Sequence, residues 1–122
     1  MILPDTSVWI DHFRSNNKEL QAALTMGQVV IHPWIVAELA LGSLRDRDKT
    51  LAMLDLLPQV RVAQLAEVRT MIDAKRLYSL GVGLIDAELI ASVLITPPML
   101  LWTKDRRLRR VAESLGIHAV LS

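Results

Sequence analysis

A chain of 122 residues with formal net charge +1, 52% hydrophobic residues, 22% charged residues and no cysteine is the size of a single domain. These values exclude a disordered segment, a broadly polycationic nucleic-acid binder, a disulfide scaffold, a cysteine-held zinc site and a thiol nucleophile. The longest uncharged stretches, residues 20–37 and 89–103, are broken by polar residues and by Pro97-Pro98. No membrane span is therefore expected, and residues 1–5, which lack a basic start and meet Asp5 at once, are not expected to be a leader. The reading is a cytoplasmic protein.

Residues 1–4 form a short apolar run that reads as a strand, and Asp5, Thr6 and Ser7 after it suit the start of a helix. A helix is predicted over 8–13 and another over 18–26, the second closed by Gly27. Residues 28–32 are rich in β-branched side chains and predict a second strand, and Pro33 then opens a helix to about residue 41, stopped by Gly42. Leu51, Leu54 and Leu57 predict an amphipathic helix over 47–57, ended by Pro58. A weak third strand follows at 60–62, then a helix over 64–80 that ends at Gly81. Residues 85–95 are almost wholly apolar and predict a buried helix. A fourth strand is expected at 99–102, a helix over 106–115 before Gly116, and a last strand at 118–121. No repeat or linker interrupts the pattern, so residues 1–122 are read as one domain. Strands separated by helices predict an α/β fold with a parallel central sheet of about four to five strands flanked by helices.

Most acidic residues lie beside Lys or Arg on predicted helices and read as solvated faces. Four do not. Asp5 ends the first strand, and Glu38 stands alone in an apolar helix. Asp86 lies in the first turn of the buried helix, and Asp105 follows the fourth strand. A buried carboxylate needs a partner, a proton or a metal. In a parallel α/β sheet the carboxyl ends of the strands form the ligand crevice, which is where Asp5 and Asp105 fall. Capping alone would also account for Asp5 and Asp105, and the helix dipole for Asp86. Clustered together, the acids would need a divalent cation, and an all-oxygen donor set selects Mg²⁺ or Mn²⁺ over zinc. Glu88, two residues from Asp86, should point elsewhere around the helix and is kept outside the site.

The four acids in this order resemble those of the PIN-domain nucleases, in particular the VapC-type toxins of type II bacterial toxin–antitoxin pairs. Residues 1–11, reading Met-Ile-Leu-Pro-Asp-Thr-Ser-Val-Trp-Ile-Asp, resemble the first motif of that family. Val36-Ala37-Glu38-Leu39 resembles the second, Leu84-Ile85-Asp86-Ala87 with Ile90-Ala91 the third, and Leu101-Trp102-Thr103-Lys104-Asp105 the fourth. The likeness spans essentially the whole chain. Pro4 stands where an apolar, often β-branched residue is usual, and Arg107 where many relatives carry a second acid. The resemblance implies a PIN domain and a metal-dependent endoribonuclease held in check by a cognate antitoxin. It implies catalytic roles for Asp5, Glu38, Asp86 and Asp105, with a Mg²⁺ or Mn²⁺ ion held by Asp5, Asp86 and Asp105. Glu38 would act through water or as proton acceptor, and Thr6 and Thr103 would fix the carboxylates. Water attack of this kind leaves a 5′-phosphate and a 3′-hydroxyl.

Lys104, Arg106, Arg107, Arg109 and Arg110 crowd the start of a helix, where cations oppose the helix dipole. Lys104, Arg106 and Arg107 are the residues expected to meet RNA. Trp9, Trp34 and Trp102, with Met26, Met53, Met71 and Met99, read as packing residues, and the three histidines form no ligand spacing. A homodimer is expected alongside the antitoxin and RNA. The competing readings are a PIN-like module that binds RNA or protein without cutting, and a receiver-type phosphoacceptor domain. The receiver would need an acid ending the middle strand, and residues 60–63 supply none.

Overall fold

Asp5 ends the first extended run by capping the helix after it, so the strand before it is only three residues long. In the computed structural model, which describes residues 1–121, β1 (Ile2–Pro4) is followed by α1 (Thr6–Ser15), α2 (Lys18–Thr25), α3 (Pro33–Ala40), α4 (Arg47–Asp55), α5 (Leu65–Ala74) and α6 (Leu84–Leu94). β2 (Leu100–Trp102) and α7 (Arg106–Ser114) complete the order. β1 and β2 pair in parallel, with Ile2 opposite Leu100, Leu3 opposite Leu101 and Pro4 opposite Trp102.

The expected sheet of four to five strands is not confirmed. The predicted strands at 28–32, 60–62 and 118–121 are replaced by isolated parallel bridges, Ile2 with Val29, Ile31 with Gln59 just ahead of 60–62, and Leu101 with His118. Two prolines give the reason for the first two. Ile2 N donates to Gln28 O at 2.8 Å and Val30 N to Ile2 O at 3.0 Å. The next rung in a parallel ladder would need the N–H of residue 4, which proline lacks. One segment outward, Ile31 N donates to Pro58 O at 2.9 Å and Val60 N to Ile31 O at 3.0 Å. There the next donor would be residue 33, again a proline. The chain thus lays out parallel extended segments, but only β1 and β2 form a continuous ladder.

Around this short sheet, Leu3, Trp9, Ile31, Ile35, Leu89, Ile90, Leu101 and Trp102 are fully buried or nearly so. α6 packs on α5 and β2, whereas α3 packs on α1 and α4. Trp9 and Trp102 are core residues, but Trp34 is 50% exposed because α3 turns Ile35 and Leu39 inward and leaves position 34 on the other side. Met26 and Met53 are exposed as well. The helix predicted over 64–80 stops at Ala74. Arg76 adopts a left-handed backbone (φ 54°), and Leu77 N bonds back to Ile72 O at 3.0 Å, which returns Leu77 to the core. The residues between α5 and α6 then form a loop with two more left-handed positions, Ser79 and Gly81.

Candidate active site: a carboxylate cluster beyond the paired strands

Parallel pairing of β1 with β2 brings Asp5 beside the segment that leaves Trp102, and Asp5 N donates to Trp102 O at 2.9 Å. The Asp5 side chain is buried and saturated with donors. Its Oδ1 accepts from Ser7 Oγ at 2.5 Å and from Val8 N at 3.2 Å, and its Oδ2 accepts from Thr103 Oγ1. Asp5 therefore caps α1 and is also tied to the segment leaving β2. Burial pushes its carboxyl above the ordinary 3.8, against the lowering effect of the Ser7 and Thr103 hydroxyls and of backbone N–H groups.

The other acids are held in turn. Thr6 Oγ1 donates to Glu38 Oε1 at 2.6 Å, joining the first turn of α1 to α3. Asp105 caps α7 by accepting from Leu108 N at 3.0 Å, and its own N–H donates to Thr103 Oγ1 at 3.0 Å. Thr103 thus touches both strand-end acids. Asp86 stands in the first turn of α6, whose N-cap is Gly83, with no capping side chain. Its carboxyl is pushed up to about 6, first by burial and then by the charges of Asp5, Asp105 and Glu38. The charges of Asp5, Asp105 and Glu38, from three other stretches of chain, thus all reach Asp86.

Exposure is graded across the cluster: Asp5 buried, Glu38 and Asp86 half-buried, Asp105 exposed. Among the described residues, no three His, Asp or Glu side chains are arranged so that they could hold a metal ion. Both oxygens of Asp5, one of Glu38 and one of Asp105 are engaged by hydroxyls or backbone N–H groups.

Beside the acids is a cavity of about 510 Å³ lined by Asp86 and Asp105, by Arg106, Arg107 and Arg110, and by Gly81, Val82 and Leu108. None of these three arginines forms an ion pair among the described residues, even though two carboxylates line the same cavity. Arg107 Nη1 donates instead to Gly81 O at 3.2 Å. A Cβ at Gly81, which holds φ +75°, would stand 2.7 Å from that same Nη1. Lys104 does not line the cavity; its Nζ lies 3.7 Å from Asp11 Oδ2. Arg110 lines it, although the charge run alone did not single it out. A second cavity of about 780 Å³ is lined by Glu38 together with Ile10, Phe13 and Arg14 of α1 and Leu44, Arg45 and Asp46 of the α3–α4 loop.

Two groups escaped the sequence reading. Ser7 accepts from Lys104 N at 2.9 Å while donating to Asp5, so it links the first motif to the fourth. The signal was the pair of hydroxyls directly after Asp5. The other is a buried polar group formed by His32, Glu88 and Ser92. His32 Nδ1 accepts from Trp34 N at 3.1 Å and caps α3; Nε2 lies 3.3 Å from Glu88 Oε1 and 3.2 Å from Ser92 Oγ. Ser92 Oγ also accepts from Ala63 N at 3.0 Å. The backbone donor at Nδ1 places the ring proton on Nε2, and burial lowers the imidazole to about 4, so the ring is neutral. A ring protonated at Nε2 cannot take a proton from Ser92, and Ser92 is fully buried, so the trio is not a hydrolytic triad. Glu88 is turned into this trio, and burial raises its carboxyl. Glu88 and Ser92, four apart on an apolar helix, were the visible sign.

The profile of the PIN domain family matches residues 2–114. The chain is also 39% identical over 117 residues to Ribonuclease VapC32 of Mycobacterium tuberculosis, in strains CDC 1551 and H37Rv alike. The match covers 96% of this chain and 94% of each relative.

Proposed function

Because this chain belongs to the PIN domain family, and within it to the VapC type, we propose that it is the toxin of a toxin–antitoxin pair and a Mg²⁺- or Mn²⁺-dependent endoribonuclease. The observation that carries the reading is one cavity lined both by Asp86 and Asp105, whose charges repel, and by three arginines that form no ion pair with them. Neither set has a counter-ion among the described residues, and a divalent cation with a phosphodiester would supply both.

The chemistry of the donors suits such an ion, although no three of the acids are already arranged to hold it. All the donor atoms are carboxylate oxygens, and Mg²⁺ keeps much of its water shell, which suits acids already partly occupied by hydroxyls. Asp5, Asp86 and Asp105 would hold it directly, and Glu38 through a water molecule. When bound, the ion polarises the phosphate and makes a water molecule more acidic. Thr6 holds one oxygen of Glu38 and leaves Oε2 free to accept a proton from the attacking water. Thr103 and Ser7 keep the Asp5 carboxylate in a single orientation. Arg106, Arg107 and Arg110 bind the RNA backbone, and the products carry a 5′-phosphate and a 3′-hydroxyl. The larger groove beside Glu38, apolar at Ile10, Phe13 and Leu39 and basic at Arg14 and Arg45, is where the antitoxin reaches the site. We place the toxin in the cytoplasm as a homodimer.

The test is cleavage of end-labelled total RNA by antitoxin-free protein with Mg²⁺, Mn²⁺ or EDTA, alongside Asp5→Asn. Discrete metal-dependent products that vanish in the variant, with RNA binding retained, are the expected result. RNA binding without cleavage under either metal would favour a non-catalytic binding module.

A further inference from the structure

α3 carries Glu38 and α6 carries Asp86, yet α3 packs chiefly on α1 and α4, and α6 on α5 and β2. Two acids that repel each other stand on helices that share little packing. Their relative placement is therefore set by other contacts. The hydrogen-bonded link between them is the His32 trio: Nδ1 caps the first turn of α3, while Nε2 reaches Glu88 and Ser92 on α6. Ser92 also holds Ala63, just ahead of α5.

The choice of residue is informative. An aspartate or serine would cap α3 as well, and an apolar side chain would fill the same buried space. A neutral imidazole has an acceptor and a donor on opposite edges of one rigid ring, so it does both jobs at a fixed separation. The first turn of α6 has no capping side chain of its own, so the helix bearing Asp86 is fastened from within, at Glu88 and Ser92.

We propose that His32 is a positioning residue for the carboxylate cluster: through Ser92 and Glu88 it fixes α3 against α6 and so sets where Glu38 stands relative to Asp86. This rests on reading the four carboxylates as one metal-binding site.

The test is a double-mutant cycle between His32→Asn and Glu38→Gln, read on Mn²⁺ affinity by calorimetry and on RNA cleavage. Asparagine at position 32 keeps a capping oxygen for α3 but is too short to reach α6. In the wild-type background His32→Asn should weaken Mn²⁺ binding several-fold and lower kcat about tenfold with KM unchanged. In the Glu38→Gln background it should change neither by more than about twofold, since the residue it positions is already disabled. Ser92→Ala should reproduce the His32→Asn effect and Ser92→Thr should restore function, which covers the case in which His32→Asn fails to fold. Losses that multiply across the two backgrounds would overturn the proposal, as would wild-type behaviour in Ser92→Ala. If the wild type binds Mn²⁺ but cuts no RNA, the nuclease reading fails and the cycle is decided on Mn²⁺ affinity alone. A wild type that binds no Mn²⁺ overturns both.

Discussion

Thr103 donates its hydroxyl to Asp5 across 98 residues of sequence, from the end of one strand to the end of its neighbour. The same oxygen accepts from the N–H of Asp105. One buried hydroxyl therefore orients two of the four acids. Thr103→Val keeps the shape and removes both bonds. It should destabilise the fold by about 1–3 kcal/mol and leave the buried Asp5 carboxyl higher still. Cleavage at neutral pH should fall about tenfold and be partly recovered by raising Mg²⁺. Thermal melting and a Mg²⁺ titration of cleavage rate check both parts.

Acidity should gate metal binding through Asp86. Its carboxyl holds a proton up to about pH 6 in the metal-free protein, and a protonated carboxyl does not ligate. Activity should fall below that pH at low Mg²⁺. Because cation and proton compete, the midpoint of the acid limb should move to lower pH as Mg²⁺ is raised. A midpoint independent of Mg²⁺ would remove Asp86 from the ligand set.

Stability in acid should show two opposing trends. Asp86 has a folded value near 6 against an ordinary 3.8, so the folded state binds the proton more tightly and gains stability as pH falls from 6 toward 4. Asp5 and Glu88, also raised, act in the same direction. His32 acts in reverse. Its folded value of about 4 lies below the ordinary 6.5, so the unfolded chain takes up the proton first and stability is lost as pH falls through that window. In His32→Asn the loss disappears and the acids remain. Its melting temperature, whatever its value at neutral pH, should rise more, or fall less, between pH 6.5 and 4 than that of the wild type.

Much of the site was legible because the acids stood out against their neighbours: Glu38 in an apolar helix, Asp86 in the first turn of another, Asp5 directly after an apolar run and Asp105 just beyond a second. The helices were legible for the same reason, a periodicity broken by Gly or Pro. The sheet was not. β-Branched composition marks a segment as extended but does not count its rungs, and the missing donors of Pro4 and Pro33 matter only once their neighbours are known. The end of α5 was hidden because Leu77 keeps helical spacing while reaching the core by a left-handed turn at Arg76. His32 gave no ligand spacing, since its partners lie 56 and 60 residues away on one helix.

Gly81 and Arg107 form a second coupled pair. Gly81→Ala meets the Arg107 side chain and places an L-residue at φ +75°. The backbone strain costs about 1 kcal/mol whatever residue stands at 107. The displaced guanidinium should also weaken RNA binding. Arg107→Ala alone should weaken RNA binding uniformly across sequences and reduce the salt slope by about 0.7–0.9, the share of one neutralised phosphate. Binding isotherms at several salt concentrations for the two single variants and the double variant separate these effects. An unchanged slope in Arg107→Ala would place the RNA elsewhere.

The parallel pairing of β1 with β2 also has a consequence in time. During synthesis Asp5 is the first of the four acids to emerge, Glu38 and Asp86 follow, and Thr103 and Asp105 come only with the segment after β2. Contacts this distant in sequence form late, so a chain still being translated carries three of the four acids without the strand that aligns the first of them. The four acids therefore come into register only after the segment that follows β2 has been made.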